Sequence, residues 1–431
     1  MPESRLVSVA EGWSKTAVNA TRHREHPLVS HLGIQYVGFY DADANLVLGK
    51  RDLNDTDWTL TKTPYQGNAA DEHNTVNLGI DGAGLLHIAW DHHGNSLNYV
   101  QTIEPDSLEL GLPTLLIGTL EEEVTYPGFH ALPNGDMLMS YRDGGSGRGS
   151  MVLNYYDHLA ASWSRLHDTL IDGEGQRNPY WQMHVDKQGV VHVSWVWRES
   201  SNASTNHDMM YARSSDAGQS WQDSRGRAYT LPITEATAEL VWSVPQSTNL
   251  INQTSMTANQ LGHPRIATYF REEGQSVTQL QLITFDGNTW QVQPVTDRST
   301  DFELGGTGTR VLPLSRPLIV SEQVDEQELL HVVYRDAETG SHIMLATGSV
   351  DGDWTHKMLS DFPVGRWEPG YDPLLWRDKS LLHVFVQNIV GVGDLLPDNT
   401  LATEESISPH SPISVLEVST ESSALVPLTA R

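Results

Sequence analysis

One short unit recurs along the chain and constrains the fold more than any other feature. It is an apolar strand, usually preceded by a Gly-containing turn and ending in an aromatic residue. The copies are GIQYVGFY to Tyr40, GLLHIAW to Trp90, GDMLMSY to Tyr141, GVVHVSW to Trp195, HPRIATY to Tyr269, ELLHVVY to Tyr334 and SLLHVFV to Val386, spaced 50, 51, 54, 74, 65 and 52 residues apart. A repeat of this period is one supersecondary unit that cannot bury its apolar face alone, so its copies must stack. Each copy but the first follows another apolar segment (HNTVNLGID, YPGFHALP, YWQMHVD, TSMTANQ, RPLIVSE, DPLLWRD), and most precede a third (SLNYVQT, MVLNYYD, MMYARSS, LQLITFD, HIMLATG). A fourth segment near a Trp often comes next. Short strands separated by turn residues, with almost no helical periodicity, predict an all-β fold: a seven-bladed β-propeller with four antiparallel strands per blade. Residues 1–431 are expected to form a single domain, with residues 1–26 and the tail from about 405 supplying strands that close the ring and remove open sheet edges.

The turn between the third and fourth strands has its own signature. Ser214, Asp216, Gly218 and Trp221 in SSDAGQSW fit the S-x-D-x-G-x-x-W Asp-box, in which Asp caps the turn, Gly permits the bend and Trp packs between blades. FDGNTW (Asp286, Gly287, Trp290) and VDGDW (Asp351, Gly352, Trp354) are shorter versions. His87, His192, His331 and His383 recur at one position of the second strand, where packing between blades accounts for them better than metal ligation.

Composition bounds the function. At 38% hydrophobic and 19% charged the chain can bury a large core and is not disordered. With no Cys it can form no disulfide, thiolate metal site or cysteine nucleophile. No apolar run is long enough to span a bilayer. The start, MPESRLVSVAEGW, lacks the pattern of a signal peptide, so the chain reads as cytoplasmic or as one whose leader has been removed. The net charge of −28 argues against non-specific affinity for nucleic acid or an anionic membrane. The basic residues are 21 Arg and 6 Lys, and Arg offers a planar fork that matches carboxylates and sulfates.

Aligning the blades turns the list of reactive groups into a geometry. Residues just before each first strand and just after each second strand converge on one rim of the central channel. His73, Tyr126, Tyr180, Arg177, Arg316 and Arg366 hold the first position, and His93, Arg142, Arg198, Arg271 and Arg335 the second. Such a cationic, aromatic rim suits an anionic sugar polymer. Some of these arginines are expected to pair instead with blade carboxylates such as Asp91, Asp143 or Asp336, but not Arg142, whose Gly-rich setting (YRDGGSGRGS) suggests close approach of a ligand.

The run DEHNTVNLGIDGAGLLHIAWDHHGNSLNY, then TYPGF with YRDGGSGRG and LNYYD, then RNPYWQMHVDKQGVVHVSWVWRES, NHDMMYARSSDAGQSW and LINQTSM, resembles the BNR-4 type seven-bladed propellers over roughly residues 70–290. Within that group it is most similar to the ulvan lyases. The resemblance implies β-eliminative cleavage of ulvan, a marine polymer of sulfated rhamnose and uronic acid. The family's catalytic pattern is a His, a second His twenty residues later, a Tyr, and an Arg sixteen residues after that Tyr. Here it falls on His73, His93, Tyr126 and Arg142, with His92 disfavoured by spacing and a further aromatic at Tyr180. Tyr180, Arg177, Arg198 and Arg271 are the expected substrate-binding residues. Arg142 is the candidate that neutralises the uronate, assisted by His93. His73 and Tyr126 are the candidate base and acid, with either order open.

The resemblance implies no cofactor for catalysis, a secreted or periplasmic enzyme, and a monomer whose partner is an acidic sulfated polysaccharide. Some relatives carry a structural zinc. Where close relatives have Cys this chain has Met209 and Met210, leaving His192 and His207, so a tightly bound zinc is not expected. Two other readings compete: a sialidase-type glycoside hydrolase, which needs a carboxylic acid and a nucleophile, and a non-catalytic glycan-binding propeller, which has no use for the His73/His93 and Tyr126/Arg142 spacings.

Overall fold

The computed structural model describes residues 4–23, 25–308, 311–394 and 400–420. Seven antiparallel sheets follow one another around the ring. Blade one comprises Leu28–His31, Ile34–Tyr40, Asn45–Asp52 and Thr59–Gln66, and blades four, five and six repeat the same order from the channel outward. Blade seven is closed from both ends of the chain. Its outermost strand, Arg5–Trp13, pairs antiparallel with His410–Val418, which pairs with Leu382–Gln387. The expected ring closure is thus a ladder of main-chain hydrogen bonds.

Departures from four strands per blade cluster at blades two and three. Blade two has three strands, Val76–Ile80, Leu86–Trp90 and Tyr99–Gln101, its fourth reduced to a bridge between Thr102 and Leu110. In exchange, the segment His93–Asn95 leaves blade two and adds a fifth, innermost strand to blade three, beside Val124–Ala131. Blade seven departs differently. DPLLWRD, expected as its first strand, is instead the α-helix Pro373–Lys379 after a two-residue strand, Gly370–Tyr371. Asp372 accepts from the Leu375 N–H as N-cap and Pro373 opens the helix, a pairing that favours helix over strand whatever the apolar content.

The core lies between blades. Tyr36, Tyr40 and Leu48 of blade one pack with Val76, Leu78 and Ile88 of blade two, and Leu138 and Leu153 of blade three with Trp195, Trp197 and Trp221 of blade four. In the Asp-box, Asp216 accepts from Ser214 Oγ at 2.7 Å and from the Ser220 N–H at 2.9 Å, while Gly218 takes φ +86°. Trp221 is buried and donates to the Gly218 carbonyl at 2.9 Å. The repeated histidines are buried packing groups: His87 and His192 each place Nδ1 2.7 Å from a tyrosine hydroxyl (Tyr99 and Tyr211), with Nε2 turned to Asp81 or Asp186.

Candidate active site

At one mouth of the channel a cleft of about 180 Å³ is lined by His23, His73, His93, Tyr126, Arg142, Ser146, Tyr180, Arg198, Ser201, Asn252, Gly308 and Arg316. Three irregularities of the strand pattern build it. The ladder of blade three slips between Thr125 and Gly128, and Tyr126 in the slip takes φ +56°. That left-handed conformation costs a non-glycine residue roughly 1–2 kcal/mol, and it lifts Tyr126 out of the regular alternation. The extra strand sets His93 opposite Thr125, beside Tyr126. Asp71 and His73 lie on the loop entering blade two, where the Asp71 carboxylate also accepts the His73 N–H at 3.0 Å.

Asp71 organises the imidazoles. Its two oxygens lie 2.6 Å from His73 Nδ1 and 2.6 Å from His93 Nδ1. Burial would raise its pKa, but the hydrogen bonds from both rings hold it well below the usual carboxylate range. An ionised carboxylate only accepts, so both Nδ1 atoms carry a proton, and a neutral ring then keeps its lone pair on Nε2. The rings stack with centroids 4.0 Å apart, and His23 stacks on the other face of His73 at 5.4 Å. Burial lowers the His73 pKa, as do His93 and Arg142, against the raising effect of Asp71, so the ring is neutral at pH 7. His23, buried and bonded through Nδ1 to Gln253 at 2.9 Å, is driven well below the ordinary value by burial and by Arg316.

The second half of the cleft is a pair of cation-capped phenols. Arg142 lies over the Tyr126 ring at 5.1 Å and Arg198 over the Tyr180 ring at 5.2 Å, and the two rings are 5.9 Å apart. Burial pushes the Tyr126 hydroxyl far above its ordinary pKa, only partly offset by the arginines. Burial acts the same way on Tyr180, but Arg198, Arg142 and hydrogen bonds from Ser146 and Tyr126 outweigh it, leaving Tyr180 the more acidic phenol. Arg142 is buried, donates to Thr125 Oγ1 at 3.0 Å, and leaves its Nε without a partner among the described residues. Among the described residues, neither Arg142 nor Arg198 forms an ion pair.

The structure brings His73, His93, Tyr126, Arg142, Tyr180 and Arg198 into one cleft but leaves Arg177 and Arg271 outside it. Arg177 is held by Glu174, Glu199 and Glu235 at 2.9–3.0 Å, and Arg271 by Asp301 at 2.6 Å. Arg316 lines the cleft but pairs with Glu368 at 2.9 Å, and Arg335 and Arg366 line a neighbouring recess. The carboxylates that engage rim arginines are not those expected from the sequence: Asp336 pairs with Arg298. The glycines after Arg142 make room for protein rather than for ligand, since a Cβ on Gly149 would lie 2.1 Å from Asn178 Oδ1 and 2.7 Å from Arg142 Cδ. His92 is buried, its Nε2 accepting the Asn98 N–H at 2.8 Å. His23, Ser146, Ser201, Asn252 and Gly308 in the cleft, and Asp71 behind its two imidazoles, are not among the residues expected from the sequence.

His192 and His207 do not fit a zinc site. His192 pairs in register with Arg213 and His207 with Trp197, five positions along one strand, or about 16 Å. His207 is committed to Glu199 at 2.8 Å and Asp208 at 3.1 Å.

A closed ring of seven blades with its reactive groups gathered at one mouth of the channel defines a seven-bladed β-propeller. The chain belongs to the BNR repeat-containing family, BNR_4, which it matches over residues 34–298. It is 30% identical over 122 residues to the long isoform of an ulvan lyase from Alteromonas sp., a match covering 26% of this chain and only 12% of that protein. Among solved structures, polysaccharide lyase Uly1 superposes with a TM-score of 0.68 at 12% identity, covering 97% of this chain and 100% of that one. A PL25 ulvan lyase bound to -[GlcA(1-4)Rha3S]- gives 0.58 at 13% identity, over 83% of this chain and 97% of that one.

Proposed function

We propose that this chain is a polysaccharide lyase that cleaves ulvan or a closely related sulfated uronate polymer by β-elimination, leaving a 4,5-unsaturated uronate. The observation that carries this reading is the Asp71 carboxylate shared by two imidazoles, facing two phenols backed by arginines, with no carboxylate among the described residues lining the cleft. A hydrolase needs an acid and a nucleophile, and paired carboxylates would be expected. A lyase needs other things. The uronate charge must be neutralised so that C5 becomes acidic and the enolate-like intermediate is stabilised, and Arg142, uncommitted to any carboxylate, suits that task with His93 beside it. A base must take the C5 proton and an acid must protonate the leaving O4. His73, neutral with its lone pair fixed on Nε2, is the base; Tyr126, held protonated by burial, is the acid. Tyr180 and Arg198 hold the sugar ring on the far side. A polymer of this kind is met outside the cytoplasm, so the enzyme is secreted or periplasmic. No metal or cofactor enters any of these steps.

Incubation with ulvan tests the proposal. Ultraviolet absorbance from the conjugated double bond should appear. Arg142→Ala and Tyr126→Phe should each cut turnover by about 10²-fold or more with unchanged near-ultraviolet circular dichroism. Near-wild-type turnover in either variant rejects the site assignment. New reducing ends without absorbance would mean a hydrolase, and neither signal a binding module.

A further inference from the structure

Further along the channel from the cleft, a second group of histidines has no part in this chemistry. His130 lies on the same inner strand as Tyr126, and Glu25 and His26 lie on the segment that leads into blade one after His23. We propose that Glu25, His26 and His130 form a binding site for one first-row transition-metal ion, of the zinc type, in the central channel.

The geometry carries the assignment. One donor atom from each of the three residues lies within 4.8 Å of the others. Glu25 Oε2 stands 3.4 Å from His130 Nε2 yet is buried with no hydrogen-bond partner among the described residues. That separation is long for a hydrogen bond. It matches the edge of a tetrahedron whose centre lies about 2.1 Å from each donor, the usual zinc–nitrogen and zinc–oxygen distance. An unpaired buried carboxylate oxygen requires an explanation, and a cation supplies one. Gly128 gives the donors their place: a Cβ there would fall 2.1 Å from Glu25 Oε2 and 3.2 Å from His130 Nε2.

The two imidazole donors are also in the right form. Metal ligation requires neutral imidazoles with a free lone pair. Burial lowers the His26 pKa to about 3 and drives His130 well below its ordinary value. A hydrogen bond to the Phe129 backbone fixes the His26 ring, as an outer partner does for a ligating histidine. Burial raises Glu25 to about 7 despite the nearby Arg22 guanidinium, leaving a carboxylate that a dication would return to its charged form. Three protein donors leave a fourth position open to water. The site is separate from the Asp71, His73 and His93 group, in which both Nδ1 atoms are already committed to the carboxylate.

The test uses the full chain stripped of metal by a chelator and titrated with Zn²⁺ against a chromophoric competitor, and with Co²⁺ for its visible d–d bands. One equivalent should bind. Glu25→Gln and His130→Gln should each weaken zinc by at least about tenfold, whereas His93→Ala, which dismantles the cleft group, should leave it unchanged. With no substitution at all, the Tm of the wild type should rise on adding Zn²⁺ and level off at one equivalent. No uptake and no change in Tm would overturn the proposal. So would binding that survives His130→Gln and disappears in His93→Ala, which would move the ion to the cleft.

Discussion

Asp71 is the residue on which both cleft imidazoles depend, and its replacement gives a sharp prediction. An asparagine offers one acceptor and one donor where the carboxylate offers two acceptors. In Asp71→Asn, either His73 or His93 must therefore give up its Nδ1 proton and move it to Nε2, the atom proposed to act on the substrate. Loss of the carboxylate also removes what raises the His73 pKa, while burial and Arg142 continue to lower it. Protonation of the base inactivates it, so the acid limb of kcat/KM, already below the ordinary imidazole value of ~6.5, should move to still lower pH. The plateau should fall by about 10²–10⁴-fold. A pH–rate profile measured on both proteins checks the two effects separately, and an unchanged acid limb would show that His73 is not the base. Of these residues the sequence revealed the imidazoles and not their carboxylate. DEHN presents two acids before His73, and spacing cannot say that Asp71 turns to the rings while Glu72 caps the Ala17 N–H at 2.9 Å. His23 escaped because it precedes the first repeat, so no alignment of blades could place it.

At the level of elements, the repeat made the blades legible because each strand must present an apolar face to the next blade, and period-two alternation survives in the sequence. What it concealed were segments where a local signal overrides the pattern. DPLLWRD has the apolar content of a strand, but Asp-Pro is a helix start, and Asp372 serves the tertiary structure as well. Besides capping Leu375 at 3.0 Å, its carboxylate accepts from Ser30 Oγ at 2.5 Å and Gln35 Nε2 at 2.9 Å, joining the helix to blade one across the seam where the ring closes. Asp372→Ala removes a cap worth ~1 kcal/mol and leaves the buried Ser30 hydroxyl without its acceptor at roughly 1–3 kcal/mol, while Gln35 Nε2 keeps only His383 Nδ1 at 3.2 Å. Denaturant unfolding should show a loss of about 2–4 kcal/mol. Turnover of the folded fraction should be unchanged, since the helix lies outside the cleft; a loss under 1 kcal/mol would show that the seam does not rest on this residue. The slip at Tyr126 and the stray strand at His93 were equally hidden. Both are interruptions of the repeat, and both bring a reactive group to the cleft.

For the molecule as a whole, the charge of −28 and the proposed anionic substrate are reconciled by where the positive charge sits. Arg177, Arg265, Arg271, Arg298, Arg316 and Arg366 are tied to carboxylates, while Arg142 and Arg198 stand uncommitted in the cleft. The cleft draws on at least five blades, since Asn252 and Arg316 enter from the far side of the channel, so we take the entire ring to be the functional unit. Long-range and short-range fields then oppose each other, and salt acts on them unequally. Raising ionic strength from about 0.01 M to 0.15 M shortens the screening length from ~30 Å to ~8 Å. That removes most of the repulsion between the acidic surface and the polymer, while the buried guanidiniums a few ångströms from the uronate are screened much less. KM for ulvan should therefore fall as salt is added over this range, with kcat nearly constant. It should rise again only as ionic strength approaches ~1 M, where the length is ~3 Å and direct contacts are screened as well. The Arg198→Gln enzyme should keep the first, surface-driven fall in KM but start from a higher value throughout. A KM that climbs steadily from the lowest salt would mean that the polymer is gathered by an exposed basic surface, and not by arginines recessed in the mouth of an acidic ring.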